Sequence, residues 1–187
     1  MGRVIVGIMG PGEGASDRET RTAYDLGKLV ARRGWVLLTG GRAAGVMDAA
    51  GRGAKDGGGI VVGILPGADA SGMSGSVDIP IITGMLEARN SINVLSSRVL
   101  FFVGMSAGTA SELALALKYR KHSILIAPEE EVVRAFESAS GRKLRIVGTP
   151  AEAVETAEKF LDREPEPKSG GPGPSPALRA ERPRSVS

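Results

Sequence analysis

Residues 3–15 read RVIVGIMGPGEGA, a short apolar run that passes directly into a glycine-rich loop. The same order of features returns in WVLLTGGRAAG at 35–45 and in RVLFFVGMSAGT at 98–109. Apolar runs of this length without polar alternation are typical of strands buried on both faces, as in parallel sheets. These three stretches therefore predict a parallel sheet with glycine loops at the ends of its strands.

Apolar runs and amphipathic segments alternate over most of the chain. The apolar runs cover 3–9, 35–39, 60–65, 79–82, 98–103, 123–127 and 143–147. Helical periodicity covers 17–33, 45–56, 85–97, 109–120 and 150–161. Strands and helices at this spacing predict an α/β three-layer sandwich, a mainly parallel sheet with helices on both faces. The exception to this alternation is 60–82, where two strands are joined by a Gly/Ser/Ala loop, 66–77.

The composition changes near residue 162. Residues 163–187 hold six of the 11 prolines and few large apolar side chains. Such a segment buries too little apolar surface to offset the entropy of ordering. We predict one folded domain over 1–162 and a disordered Pro/Gly/Arg-rich tail over 163–187. The tail also carries most of the net charge of +3, so the domain is nearly neutral and we expect no nucleic-acid partner.

Two composition counts exclude whole classes of site. The chain has no Cys and one His, His122. A thiolate metal site, a cysteine nucleophile and a multi-histidine metal cluster are therefore excluded, and we expect no metal site and no resident cofactor. His122 opens a predicted strand, where we expect a surface or strand-edge residue. No apolar stretch is long enough for a signal peptide or a membrane span, so we expect a cytoplasmic protein without a membrane partner.

Glycines gather at the carboxyl ends of the predicted strands, where open α/β sheets bind their ligands. Glycine lets backbone N–H groups approach an anion, and a following helix N-terminus adds partial positive charge. The pattern favours a phosphate or a nucleotide over turns that use glycine only for backbone freedom. The candidate binding residues are Gly10, Gly12, Gly40, Gly41, Arg42, Gly45, Ser106, Ala107, Gly108 and Thr109.

The common nucleotide motifs fit only in part. Gly10-x-Gly12-x-x-Ala15 satisfies the loose dinucleotide fingerprint. The acidic ribose partner expected at the end of the second strand is absent, and Arg42 follows that strand instead. Plain NAD binding is therefore disfavoured, and Arg42 suits a phosphate. The chain has no GxxxxGK[ST] sequence, which excludes an ordinary P-loop NTPase.

Glu112 is the first candidate for chemistry. Thr109-x-x-Glu112 fits a helix capping box, as do Ser16-x-x-Glu19 and Thr149-x-x-Glu152. Its position behind a glycine loop on the ligand edge also allows a contact with a ligand.

Arg89 is the second candidate. Helical spacing over 85–97 places it beside an apolar stripe of Ala88, Ile92 and Leu95. At the border of such a stripe, an arginine either extends its charge to solvent or binds a phosphate or carboxylate. The pattern does not decide between the two, and it leaves the neighbouring Asn90 and Asn93 equally open.

Four motifs in order resemble the SLOG superfamily, and within it the molybdenum cofactor carrier protein-like branch. They are Thr39-Gly40-Gly41-Arg42-x-x-Gly45-Val46-Met47-Asp48, Gly63-Ile64-Leu65-Pro66-Gly67, Ala88-Arg89-Asn90-x-x-Asn93 and Ala107-Gly108-Thr109-x-x-Glu112. The resemblance implies a Rossmann-like domain, a homo-oligomer (dimer or tetramer), and a phosphate-containing ligand at the glycine loops.

The wider relatives include the LOG enzymes, cytokinin-nucleotide phosphoribohydrolases with a Pro-Gly-Gly-x-Gly-Thr-x-x-Glu motif. Here that stretch begins Gly104-Met105-Ser106, while Gly108, Thr109 and Glu112 match. The resemblance implies that Arg89 is the partner of Glu112 in the hydrolase.

Three functions follow from these observations. The first is a carrier-like protein for a phosphorylated small molecule, either the molybdenum cofactor or another pterin phosphate, or a nucleotide. The second is a nucleoside 5′-monophosphate phosphoribohydrolase in which Arg89 and Glu112 are catalytic. The third is a nucleotide-sensing scaffold.

Overall fold

The structure, a computed structural model, describes residues 3–163. The predicted tail, 163–187, lies outside the described residues except for Arg163, which ends the last helix. In chain order the elements are β1 (Ile5–Met9), α1 (Asp17–Arg32), β2 (Val36–Thr39), α2 (Gly45–Asp56), β3 (Val61–Leu65), β4 (Ile79–Ile82), a 3₁₀ helix (Leu86–Arg89), α3 (Asn90–Ser96), β5 (Val99–Val103), α4 (Ala107–Lys118), β6 (His122–Ile126), α5 (Glu130–Ser140), β7 (Arg145–Val147) and α6 (Pro150–Arg163).

The described strands form one seven-stranded sheet in the order β4-β3-β2-β1-β5-β6-β7. Every neighbouring pair is parallel. The chain steps outward from β1 to β4 and then returns to place β5 on the other side of β1. The strand order therefore reverses between β1 and β5, which is where parallel sheets bind ligands outside their carboxyl ends. The predicted Rossmann-like α/β fold is confirmed.

Each face of the sheet carries its own apolar core. Successive side chains of a strand point to opposite faces, so Phe101 and Phe102 of β5 enter different cores. One core packs the sheet against α1, α2 and α6, and the other packs it against α3, α4 and α5. The three predicted layers are thus present, with the sheet in the middle.

Helices α1 and α2 pack against each other through glycine. A Cβ on Gly53 would lie 1.9 Å from the carbonyl oxygen of Tyr24, and one on Gly27 would lie 2.1 Å from that of Ala50. The two helix backbones are therefore closer than any side chain at these positions would allow. This close approach brings the N-terminus of α2 near the loop that follows β1, where Val46 N–H donates to the Pro11 carbonyl at 2.9 Å.

The edge strands differ from the prediction that strands are buried on both faces. All four residues of β4 are exposed, and two of the three residues of β7 are exposed. Both strands lie at the ends of the sheet order, so each pairs with one neighbour only. The apolar runs of edge and central strands look alike in the sequence, because the run does not record the position in the sheet.

Two segments of helix also differ from the prediction. The predicted helix over 85–97 is a 3₁₀ turn followed by α3, and α5 at Glu130–Ser140 was not predicted. Helix α5 has no fully buried residue, and Phe136 packs against the core from it. The capping boxes predicted at Ser16 and Thr149 are confirmed.

The glycine packing of α1 against α2 can be tested with Gly53→Ala. Alanine favours a helix by about 1 kcal/mol over glycine, yet the added Cβ would meet the Tyr24 main chain. We expect a net loss of about 2 kcal/mol or more in the free energy of unfolding, measured by urea denaturation. Arg52→Ala is the matched control, because that side chain is 63% exposed and only loses its pair with Asp48. Equal midpoints for Gly53→Ala and the parent chain would contradict the close packing.

Candidate functional site

A cleft of about 560 Å³ opens at the carboxyl ends of β1, β2 and β5. Its walls come from the loops after these strands, the first turns of α4 and the 3₁₀ segment that ends at Arg89. Because the strand order reverses between β1 and β5, these loops diverge and leave an open crevice between them.

The cleft brings together ten of the twelve residues predicted as site residues from sequence. They are Gly10, Gly12, Gly40, Arg42, Arg89, Ser106, Ala107, Gly108, Thr109 and Glu112.

Gly41 and Gly45 do not line the cleft and support its walls instead. Both have positive φ, +74° and +49°. A Cβ on Gly45 would lie 2.0 Å from the Gly12 carbonyl oxygen, so glycine here lets the loops after β1 and β2 touch main chain to main chain. The Gly41 N–H donates to Thr39 Oγ1 at 3.0 Å and closes the turn after β2.

The N-terminus of α4 points its first backbone N–H groups toward the cleft. Ser106 is the N-cap, and its Oγ accepts from Thr109 N–H at 3.3 Å. Ala107 and Gly108 are the first two helical residues, whose N–H groups have no acceptor within the helix. The nearest atom to a Cβ placed on Gly108 is Ser106 Oγ, at 3.9 Å. The helix end therefore offers N–H groups and hydroxyls with room for an anion beside them.

The predicted capping box of Thr109 with Glu112 is wrong. Ser106 caps the helix, and Glu112 instead points into the protein, where Asn93 Nδ2 donates to its Oε1 at 2.7 Å. Glu112 is only 7% exposed, and this burial raises the pKa of its carboxyl to about 7, against the Asn93 hydrogen bond and the Arg89 charge, which lower it. Near neutral pH the carboxyl is therefore divided between its protonated and ionised forms.

Arg89 is buried, and its charge is directed at main-chain oxygens. Its Nη1 donates to the carbonyl groups of Gly40 and Ile64, which tie the end of β2 to β3. Burial lowers the pKa of the guanidinium, while the charge of Glu112 raises it. Among the salt bridges of residues 3–163 there is none between Arg89 and Glu112, and neither Arg89 Nε nor Asn93 Oδ1 has a hydrogen-bond partner within that range.

The apolar stripe predicted beside Arg89 is reversed. Ala88 and Leu95 are exposed, whereas Arg89, Asn90 and Asn93 are buried. Ile92, the third residue of the predicted stripe, packs against the core. Ala88 and Arg89 lie in the 3₁₀ turn at 86–89, whose residues point in other directions than those of an α-helix.

Arg42 lies at the rim of the cleft and is paired. Its Nη2 lies 2.9 Å from Glu13 Oε1, and the Glu13 side chain is largely exposed whereas that of Arg42 is half-buried. Glu13, Met47, Glu87 and Ser111 also line the cleft, although they were not predicted as site residues. Glu13 directly follows Gly12 and Ser111 lies three residues after Gly108, so closeness to the predicted glycines was the available signal.

Other predicted features can also be located. His122 begins β6 and stacks on Phe160, with ring centroids 4.3 Å apart. Over residues 3–163, no three His, Cys, Asp or Glu side chains are grouped so that they could hold a metal ion. No helix of that range is long and apolar enough to cross a membrane.

Comparison with known proteins identifies close relatives. The model of the SLOG cluster4 family matches residues 3–154. An uncharacterized protein of Archaeoglobus fulgidus is 42% identical over 150 residues, which are 80% of this chain and 91% of that protein. The molybdenum cofactor binding protein of Rippkaea orientalis is 44% identical with a TM-score of 0.83, covering 86% of this chain and 99% of its own. The molybdenum cofactor carrier protein of Chlamydomonas reinhardtii is 43% identical with a TM-score of 0.80, at the same two coverages.

The burial of Glu112 predicts a pH-dependent stability. Because the pKa of this carboxyl is raised from 4.5 to about 7, the stabilisation from its neutral form is complete below pH 4.5 and is lost as the pH rises through 7. Glutamine at this position stays neutral at every pH. We expect the free energy of unfolding of the parent chain to fall between pH 5 and pH 8, relative to Glu112→Gln, by up to about 3 kcal/mol. Urea denaturation of both proteins at a series of pH values measures these free energies. If the free energy of unfolding changed with pH in the same way in both proteins, the prediction would be contradicted.

Proposed function

The chain belongs to the SLOG cluster4 family, and from this premise we propose that it is a carrier-like protein that holds a phosphorylated small molecule in the cleft. The molybdenum cofactor is the proposed cargo. Its pterin phosphate suits a site built from helix N–H groups and hydroxyls. The observation that carries the proposal is the N-terminus of α4, with Ala107 and Gly108 on the cleft wall.

The proposed phosphate subsite lies at this helix end. The N–H groups of Ala107 and Gly108 have no acceptor within the helix, and the helix dipole adds about half a positive charge. The hydroxyls of Ser106 and Thr109 form a pair 2.9 Å apart at the same place. A phosphate has more acceptor oxygens than a single side chain can satisfy, so a cluster of N–H and O–H donors suits it.

The proposed ring subsite lies between the glycine loops. Ile8, Met9 and Met47 line the cleft beside Gly10 and Gly12. Thioether and aliphatic side chains pack well against the faces of a flat heterocycle. Gly12 lets a ring approach the backbone closely, since little but the end of Met47 lies near the place of its missing Cβ.

The arrangement of Arg89 and Glu112 favours holding a ligand over cleaving it. Arg89 Nη1 donates to the carbonyls of Gly40 and Ile64, and Glu112 accepts a hydrogen bond from Asn93. A carboxyl with a pKa of about 7 is partly neutral at physiological pH and repels an anionic ligand less than an ordinary glutamate does. The solved relatives described as cofactor binding and carrier proteins also support the carrier proposal over the phosphoribohydrolase.

The experiment measures cargo and hydrolysis on the same protein. The full chain is produced in a bacterium that makes the cofactor, purified without oxygen, and analysed for molybdenum and for pterin fluorescence after oxidation. We expect molybdenum and pterin in equal amounts. Incubation with AMP tests the alternative: release of free base and ribose 5-phosphate that disappears in Glu112→Gln would replace the carrier proposal with the phosphoribohydrolase. The homo-oligomer and the cytoplasmic location remain predictions.

The phosphate subsite is tested by Gly108→Asp with Gly108→Asn as its control. The position has room for either side chain, and an acid in the first turn favours the helix, so folding is retained. We expect the carboxylate to lower the affinity for AMP by at least about tenfold and the amide of the same size to lower it much less. Calorimetric titration with AMP measures the affinity of both variants. Equal losses in the two variants would indicate that the position acts by size and not by charge.

The pair at the rim is tested by Glu13→Gln and Arg42→Gln. If Arg42 contacts the ligand phosphate, its exposed partner Glu13 competes for the same guanidinium. We expect Glu13→Gln to raise the affinity for AMP about two- to fivefold and Arg42→Gln to lower it about tenfold. If both substitutions raise the affinity for AMP, or both lower it, Arg42 does not contact the phosphate.

A further inference from the structure

One part of the sheet lacks a covering helix within residues 3–163. In the pairing of β3 with β4, Ile79 lies next to Val62 and Ile81 lies next to Ile64. Residues paired in this way point to the same face, so both side chains of β4 lie on the side of α3, α4 and α5. They are nevertheless 49% and 42% exposed, because β4 packs substantially on β3 alone among the elements that the structure describes. Parallel sheets are ordinarily covered on both faces, so part of a layer is missing here.

Three more large apolar side chains are exposed where the chain runs from β4 into α3. Met85 precedes the 3₁₀ turn, Leu86 begins it and Leu95 lies in α3, and they are 46%, 67% and 52% exposed. The turn contacts both β3 and α3, so it links the uncovered part of the sheet to α3. We call Ile79, Ile81, Met85, Leu86 and Leu95 the apolar patch. At roughly 100 Å² of exposed area each, they amount to about 500 Å², the upper end for the largest patch of a monomer.

The outward sides of α3 and α4 carry no charge before the end of α4. Helix α3 contains no charged residue, and those of α4 are Glu112, which is buried, and Lys118, which ends the helix. Each of α1, α2, α5 and α6 contains at least four charged residues. The exposed residues along α4 are Ala107, Ser111 and Ala114, at the spacing of one helix face. A helix without a charged outward face is typical of a helix covered by protein.

We propose that a second copy of this chain covers the apolar patch and the outward sides of α3 and α4, related to the first by a two-fold axis. Such an interface must be complementary to itself. This surface offers both halves of the contact, because the patch supplies large side chains that project and α4 supplies a row of small residues that can receive them. Two patches bury about 1,000 Å² of apolar area, and the small residues of both helices bring the total into the range of about 1,200–2,000 Å² for stable interfaces. The lack of charge is typical of the core of a homodimer interface.

The second copy also borders the cleft. Ala107 and Ser111 belong to the exposed row of α4 and line the cleft as well. The proposed contact therefore narrows the mouth of the cleft on the side of α4, and residues of the second copy extend its wall there.

Sedimentation velocity of the full chain without a ligand tests the contact independently of the proposed function. We expect the parent chain to sediment as a dimer or a larger oligomer, and Leu86→Glu/Leu95→Glu to sediment at half that mass or less. The dissociation constant should rise at least about 100-fold, because the contact would bury carboxylates without partners. Ile146→Glu is the matched control, since Ile146 is 44% exposed on β7 at the other end of the sheet. We expect this control to keep the oligomer of the parent chain.

Spin labels locate the contact even if the double variant does not fold. The chain has no Cys, so Ser96→Cys at the end of α3 and Asp25→Cys on α1 each give one label, on exposed residues of helices that cover opposite faces of the sheet. We expect the shortest distance between labels of two copies, measured by double electron–electron resonance, to be shorter for Ser96→Cys than for Asp25→Cys. A monomeric parent chain would assign the patch to a different partner and overturn the proposal. An oligomer that Leu86→Glu/Leu95→Glu leaves unchanged, or a shorter distance for Asp25→Cys, would overturn it as well.

Discussion

The cleft depends on main chain packing directly against main chain at the carboxyl ends of the central strands. A Cβ on Gly10 would lie 2.3 Å from the carbonyl oxygen of Val103, and one on Gly45 would lie 2.0 Å from that of Gly12. A carbonyl oxygen in a strand or tight loop moves only with the whole backbone, so a larger residue at either position would separate the strands or loops. Glycine there holds the loops after β1, β2 and β5 close enough to share one small cavity.

Within that cavity two opposite charges are buried but do not pair. Main-chain carbonyls hold Arg89, and the amide of Asn93 holds Glu112. Burial lowers the pKa of Arg89 and raises the pKa of Glu112, so it favours the neutral form of each group. Arg89 thus ties β2 to β3. In the proposed carrier, the N-terminus of α4 and the rim residue Arg42 contact the phosphate, and ionised Glu112 weakens its binding as the pH rises above 7.

The two edges of the sheet differ in the groups that they present. The carboxyl edge presents helix N–H groups and hydroxyls, which suit a small phosphate. The amino edge presents long basic side chains around the apolar residues Leu117, Leu144 and Phe160. Parallel strands put all their starts on one edge and all their ends on the other. The two edges of the sheet are therefore separated by the length of its strands.

The sequence by itself determined the layers, the parallel sheet and most of the cleft. Apolar runs followed by glycine report local burial and local turns, and parallel strands bring all their carboxyl ends to one edge whatever their order. That is why Gly10, Gly40 and Gly108 could be assigned to one site. Only the tertiary structure decided the partners of Arg89 and Glu112, which lie 49 and 19 residues away along the chain. It also decided that β4 is exposed and that 86–89 is a 3₁₀ turn. These features follow from strand order and from contacts across the cleft, and no local pattern of residues records them.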